Sequence, residues 1–279
     1  MAESEDQAVP WPAGLHLHLF RASLLEGQAS MEAFDQWSSA VVFDDLDYPS
    51  IGLMPLLRWN LKRQGVVHPL MPRIESVGRY LLLETMMKLG ALGVLLSDLN
   101  QVGVPTLLLW GASMGRQYYS QVSLRPINRC GVMIRLEDRD RSSEQLKLKG
   151  WKSSPEYREA CKALRIQRPE YPKVSIELLL GNGIESSMQN KGPFWNNSRE
   201  IIFQGNSCRV WHPVDEIVQA CREGHRHRSP LSSKLWLVDC AMMIRSGALS
   251  NDCQVVVESI QDPKEALLVS QSLDWIKQL

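Results

Sequence analysis

The sequence has few of the signatures that mark well-known classes of protein. Its six cysteines form no Cys-x-x-Cys pair, which argues against a structural zinc site or a disulfide framework and favours a reducing cytoplasm. It contains no P-loop and no Gly-x-Gly-x-x-Gly, so the common phosphate-binding loops are excluded. The segment GASMG around Ser113 has the spacing of a hydrolase nucleophile elbow but lacks the leading pattern that such an elbow needs.

Neither sign of charge predominates, since 31 Lys plus Arg balance 31 Asp plus Glu. No global field would draw the chain to nucleic acid or to an anionic membrane. The first residues, MAESEDQ, are acidic where a signal peptide would be basic, and no apolar run approaches the ~20 residues of a spanning helix. We therefore expect a cytoplasmic protein with neither nucleic acid nor membrane as a partner, in which any anion site is local.

The hydrophobic fraction of 44% over 279 residues is enough for a substantial core. The patterning divides the chain into three regions. Residues 1–101 are predicted to be helical and to end in a long buried helix that carries Tyr80, Leu83 and Leu95 on its apolar face. Residues 102–182 are predicted to form an α/β core, and residues 183–279 a loop, a short hairpin and further helices.

The core prediction rests on alternating strand and helix patterns. The run TLLLW ends at Gly111 and predicts a buried strand turning into a helix over 112–120. A second strand is predicted over 130–136, a helix from Asp138 with that side chain as its cap, and a third strand over 172–180. This alternation predicts an α/β (α+β) fold with a mixed or parallel sheet.

The order of the short motifs resembles a known family. The motifs are Trp110-Gly111-Ala112, Tyr118-Tyr119, Arg125-Pro126, the strand Val132-Met133-Ile134, Glu177-Leu178-Leu179 and Trp236-Leu237-Val238-Asp239. From about residue 54 to 244 they are similar to the uncharacterised bacterial nucleotidyltransferases of the polymerase-β superfold. The resemblance implies a polymerase-β-like core flanked by helical regions.

The chain departs from that family at the residues that carry the chemistry. The resemblance places Trp110 at the family's lysine, Arg129 and Gly131 at its first two acids, and Glu177 at its third. Two Mg²⁺ ions would need acids on one strand face, whereas arginine brings a repelling charge and glycine brings no ligand. We therefore expect no metal and no cofactor, with Glu177 as a catalytic remnant.

Nearby acids do not replace the missing ones. Asp138 and Asp140 keep an Asp-x-Asp spacing but begin nine residues beyond Arg129, about 30 Å away along an extended chain. They are better interpreted as first-turn acids of a helix.

Two alternatives remain for Arg129. Its guanidinium could bind phosphate in place of a cation, with Arg125 and the backbone N–H groups of Gly111, Ala112 and Ser113 completing an anion pocket. It could instead pair with Glu177 across adjacent strands as a structural ion pair.

Three functions follow from the resemblance. The first is a pseudo-nucleotidyltransferase that binds a nucleotide, another phosphorylated small molecule or a protein partner. The second is an active transferase that modifies a sugar or natural-product intermediate with Mg²⁺ and with acids supplied from elsewhere. The third is a structural subunit of a biosynthetic complex.

A separate segment, CREGHRHRS, carries possible zinc ligands. Cys221, His225 and His227 are of suitable types. Three interleaved arginines and the absence of a visible fourth ligand favour a solvated basic segment instead.

Overall fold

The computed structural model describes residues 11–153, 163–181, 195, 197–226, 234–249, 253–258, 260 and 262–279. Its helices are α1 (Leu15–Leu24), α2 (Gly27–Ala40), α3 (Tyr48–Arg63), α4 (Met71–Asn100), α5 (Trp110–Tyr118), α6 (Arg139–Leu148), α7 (Pro213–Arg226), α8 (Leu235–Arg245), α9 (Cys253–Glu258) and α10 (Pro263–Lys277). Its strands are β1 (Leu107–Leu109), β2 (Cys130–Ile134), β3 (Lys152–Ser153), β4 (Ala163–Gln167), β5 (Ile176–Leu180), β6 (Arg199–Phe203) and β7 (Asn206–Val210).

The first three helices pack together through large apolar side chains. Phe20 of α1, Phe34 of α2 and Leu57 of α3 are all buried. The amide of Asn60 donates to the carbonyl of Ala22 at 2.8 Å, which ties α3 to α1 in the core. The helical N-terminal region is therefore held both by apolar burial and by a satisfied buried polar group.

Helix α4 is buried along only part of its length. Leu95 and Leu99 are fully buried against the sheet, whereas Tyr80 and Leu83 are 61% and 66% exposed. The prediction of a buried apolar face is right for the second half and wrong for the first. In the described part of the chain, α4 is the one helix that is long and apolar enough to cross a membrane, and its packing on the sheet accounts for the apolar second half.

The seven strands of the described residues form one mixed sheet in the order β3-β4-β5-β2-β1-β7-β6. Strand β2 runs parallel to β5 and antiparallel to β1. Every residue of β1 and β2 is buried, as continuous apolar strands in a doubly covered sheet should be. Helices α4 and α6 pack on one face. The predicted α/β core with a mixed sheet and flanking helices is confirmed.

The hairpin predicted within residues 183–279 is also confirmed. Strands β6 and β7 are joined by Gln204 and Gly205, both with positive φ (48° and 76°), as a tight two-residue hairpin turn requires. Strand β7 then pairs with β1, so the sheet continues beyond residue 182. Strands β3 and β4 at the opposite edge were not predicted. The division of the chain at residues 101 and 182 stays a prediction.

Two predicted details are wrong. The third strand begins at Ile176 rather than at residue 172, because the preceding residues form turns in which Val174 N–H donates to the Tyr171 carbonyl. Asp138 does precede α6, but its side chain caps no backbone N–H and accepts a hydrogen bond from Arg141 instead.

Candidate functional site

Three neighbouring strands bring the residues of the resemblance together. The strand register sets Gly131 of β2 between Leu109 of β1 and Glu177 of β5. Trp110 follows Leu109 directly, and Arg129 precedes β2. We call Trp110, Arg129, Gly131 and Glu177 the Arg129 cluster. It lies on the sheet face opposite α4 and α6, because Glu177 alternates with residues that pack on those helices.

The Trp110 ring fills the space where a side chain at position 131 would be. A Cβ added to Gly131 would lie 2.0 Å from Trp110 Cζ3 and 2.6 Å from Cε3. Trp110 reaches this position with φ of 55°, in the left-handed region that non-glycine residues rarely adopt. Position 131 must therefore be glycine as long as the indole lies there, and it can present no metal ligand.

The Arg129 guanidinium lies over the Trp110 ring, with Cζ 3.8 Å from the ring centroid. It donates two hydrogen bonds to Glu177, from Nε at 3.1 Å and from Nη2 at 2.6 Å. Glu223 of α7 approaches Nη1 at 3.8 Å. The structure thus shows the ion pair with Glu177, reinforced by cation–π stacking and by a second carboxylate.

The cluster does not fit the magnesium ions that the resemblance implies. Mg²⁺ requires several oxygen ligands in near-octahedral geometry. Gly131 supplies none, and both Glu177 oxygens accept hydrogen bonds from a fixed positive charge. Among the residues that the structure describes, no group of three or more His, Cys, Asp and Glu could hold a metal ion.

Gly111, Ala112 and Ser113 form the first turn of α5 and are buried. The Ser113 hydroxyl donates a hydrogen bond to the carboxylate of Glu216 in α7. The same carboxylate accepts hydrogen bonds from the Gln117 amide and from the Tyr118 hydroxyl, both at 2.8 Å. Burial raises the pKa of Glu216 to about 7, although these donors oppose the shift. Ser113 is thus an internal hydrogen-bond donor inside a helix, and GASMG is not a nucleophile elbow.

The Arg125 side chain is buried in the protein interior. Its Nε and Nη2 each donate to one oxygen of Asp239 of α8, both at 2.8 Å, and the Tyr119 hydroxyl donates to the same carboxylate at 2.7 Å. Burial alone would lower the pKa of Arg125, but the Asp239 carboxylate outweighs it and the pKa is raised. Arg125 therefore joins the core to α8, and Gly111 leaves room for its guanidinium, since an added Cβ would lie 3.0 Å from Nη1.

The possible zinc ligands of CREGHRHRS have other neighbours. Cys221 Sγ lies 3.9 Å from Cys240 Sγ, and His225 Nε2 lies 3.0 Å from the Ser272 hydroxyl. His227 lies outside the described residues.

Sequence reasoning missed two acids that contact the predicted site residues, Glu216 beside Ser113 and Glu223 beside Arg129. They are seven residues apart on α7, which places them on one helix face two turns apart. That spacing was a usable signal, but it does not show that the face meets both α5 and Arg129.

The profile of a family described as uncharacterised nucleotidyltransferase matches residues 51–279. A crystal structure of an antigenic nucleotidyltransferase-like protein from Paracoccidioides brasiliensis is similar at 12% sequence identity and a TM-score of 0.45, covering 67% of this chain and 94% of that one. No curated protein matches the sequence.

Proposed function

The chain belongs to the family of uncharacterised nucleotidyltransferases, and we propose that it is a catalytically degenerate member that binds without transferring a nucleotidyl group. One observation carries this proposal. The Arg129 guanidinium is fixed between the Trp110 ring and Glu177, in the place that the resemblance assigns to metal-binding acids.

A guanidinium cannot replace two divalent ions in this reaction. In two-metal transfer the ions clamp the attacking and leaving oxygens and favour deprotonation of the nucleophile. Arginine stays protonated and offers only N–H donors. It can hold a phosphate oxygen, but it cannot coordinate a hydroxyl and lower its pKa. Glu177 is present, but both its carboxylate oxygens accept hydrogen bonds from Arg129.

The same contacts weigh against a phosphorylated ligand. A phosphate would have to compete with Glu177, and with Glu223 at 3.8 Å, for Arg129. Arg125 and Ser113, the other members of the predicted anion pocket, are buried and bonded to Asp239 and Glu216. We infer that the retained scaffold serves chiefly as a binding surface for another protein.

Turnover assays test the loss of transfer. Purified protein is incubated with each nucleoside triphosphate and Mg²⁺ or Mn²⁺, and released pyrophosphate is measured. We expect none above a protein-free blank. Steady turnover that disappears in Glu177→Gln and persists in Glu137→Gln, an exposed acid just beyond β2, would overturn the proposal.

Calorimetry with ATP in EDTA tests the choice of binding partner. We expect no heat of binding for the unaltered protein, because Glu177 holds the guanidinium. Glu177→Gln removes the carboxylate charge that competes with phosphate for Arg129. ATP binding that appears in this variant and vanishes in Glu177→Gln/Arg129→Ala would support competition between Glu177 and phosphate. If the unaltered protein binds ATP tightly and Arg129→Ala does not, the ligand of this site is a phosphorylated molecule and the proposal of a protein partner is wrong.

A further inference from the structure

A second concave site lies on the other face of the sheet, between α6 and strands β2, β4 and β5. It is a cavity of about 180 Å³. Its floor is apolar and consists of strand side chains, namely Ile134, Ile166, Leu178 and Leu180. Leu146 of α6 and Trp151 also line it.

The polar part of the lining comes chiefly from one helix. Arg139, Ser143 and Lys147 of α6 line the cavity at a spacing of four residues, which aligns them in one stripe along the helix. Arg139 and Lys147 are exposed, and neither is ion-paired within the described chain. Arg141 of the same helix is paired, with Asp138. The described lining contains two cationic side chains and no acid, together with an apolar floor.

The size limits what the cavity can take. An apolar cavity of about 150 Å³ is enough for benzene, whereas a nucleotide requires several times that volume. An apolar ring or short chain would bury its body against Leu178 and Ile166, and an anionic head at the mouth would meet Arg139 and Lys147. We propose that this cavity binds a small carboxylate with an apolar body, of the aromatic-acid or short fatty-acid class.

This site is independent of the Arg129 cluster. Ile134 and Leu180 are the last residues of β2 and β5, whereas Arg129 and Glu177 lie at the starting ends of those strands. The two sites also use opposite faces of the sheet. Ligand binding in this cavity can therefore be tested independently of the loss of nucleotidyl transfer.

Benzoate, benzyl alcohol and benzylammonium are suitable probes, because they share one ring and differ in charge. Isothermal calorimetry on the full chain should show saturable 1:1 benzoate binding, at least about fivefold tighter than that of benzyl alcohol, and no binding of benzylammonium. Lys147→Gln should weaken benzoate binding roughly threefold to fivefold. Lys149→Gln, on the same helix end but outside the cavity, should leave it unchanged.

A filling variant provides the second test. Ser143→Trp places an indole at the mouth and should abolish benzoate binding while thermal unfolding shows a folded protein. If that variant does not fold, the comparison of Lys147→Gln with Lys149→Gln decides. Equal affinity for benzoate and benzyl alcohol, equal effects of the two lysine variants, or no saturable benzoate binding by about 10 mM would each overturn the proposal.

Discussion

Gly131→Ala is a one-carbon change that should disrupt the Arg129 cluster. The new methyl would lie 2.0 Å from Trp110 Cζ3, far inside van der Waals contact. Moving the ring away would also disturb its stacking with the Arg129 guanidinium, whose Cζ lies 3.8 Å from the ring centroid. Accommodating alanine therefore requires the indole to leave and the stacked arginine to lose its contact.

The expected cost combines two effects. Overpacking of a well-packed site costs roughly 1–3 kcal/mol, and loss of the stacking of Arg129 on Trp110 costs about 0.5–1 kcal/mol more. We expect Gly131→Ala to lower the free energy of unfolding by about 1.5–4 kcal/mol. Gly181→Ala is the matched control, because its Cβ would meet neighbours at an ordinary 3.5 Å, and we expect a change within about 0.5 kcal/mol.

Urea unfolding of the single and double variants measures this coupling. In a Trp110→Gly background the obstructing ring is gone, and glycine suits the φ of 55° at that position. The cost of Gly131→Ala should then fall by at least about 1 kcal/mol. The reasoning is refuted if Gly131→Ala costs no more than Gly181→Ala, or if its cost is the same with and without the indole.

Two further predictions concern buried acids. Burial raises the folded-state pKa of Glu216 from 4.5 to about 7, so the unfolded chain releases its proton first as pH rises. The free energy of unfolding should therefore fall by up to about 3 kcal/mol between pH 4.5 and 7 and then level off. Urea titrations at a series of pH values should show this pH dependence flattened in Glu216→Gln. An unchanged pH dependence in that variant would contradict the raised pKa of Glu216. Asp239→Asn leaves the Arg125 charge buried without a counter-ion and should cost about 3–5 kcal/mol. Glu26→Gln is the control, because it breaks an exposed ion pair with Arg63 and should cost less than about 0.5 kcal/mol by the same measurement. Equal losses in the two variants would show that the buried Arg125 does not depend on its pair with Asp239.

The sheet was predictable where the apolar pattern is continuous. Strands β1 and β2 are short unbroken apolar runs, and both are fully buried in the structure. Strand β4 was missed because ALRIQ is short and carries an arginine, and β3 has only two residues. The exposure of Tyr80 and Leu83 was also unpredictable, since an apolar stripe on a helix does not show how far its partner extends.

The contacts of the candidate site could not be predicted from the sequence. The sequence shows an arginine at position 129 and a glycine at position 131, and the resemblance interprets these as replacing two metal-binding acids. The choice between phosphate and Glu177 as the partner of Arg129 could not be predicted, because it depends on the parallel register of strands 48 residues apart in the chain. The position of the Trp110 ring over Gly131 depends on the left-handed turn at Trp110, which an aromatic residue gives no reason to expect.

In the Arg129 cluster a guanidinium lies where two-metal transfer would require divalent ions. Titration with Mn²⁺ followed by electron paramagnetic resonance tests it directly, because bound and free Mn²⁺ give different signals. We predict no Mn²⁺ bound at this cluster in the unaltered protein and a new site in Trp110→Gly/Arg129→Asp/Gly131→Asp, where three acids including Glu177 face one another. Stoichiometric Mn²⁺ binding by the unaltered protein that is lost in Glu177→Gln would contradict the account.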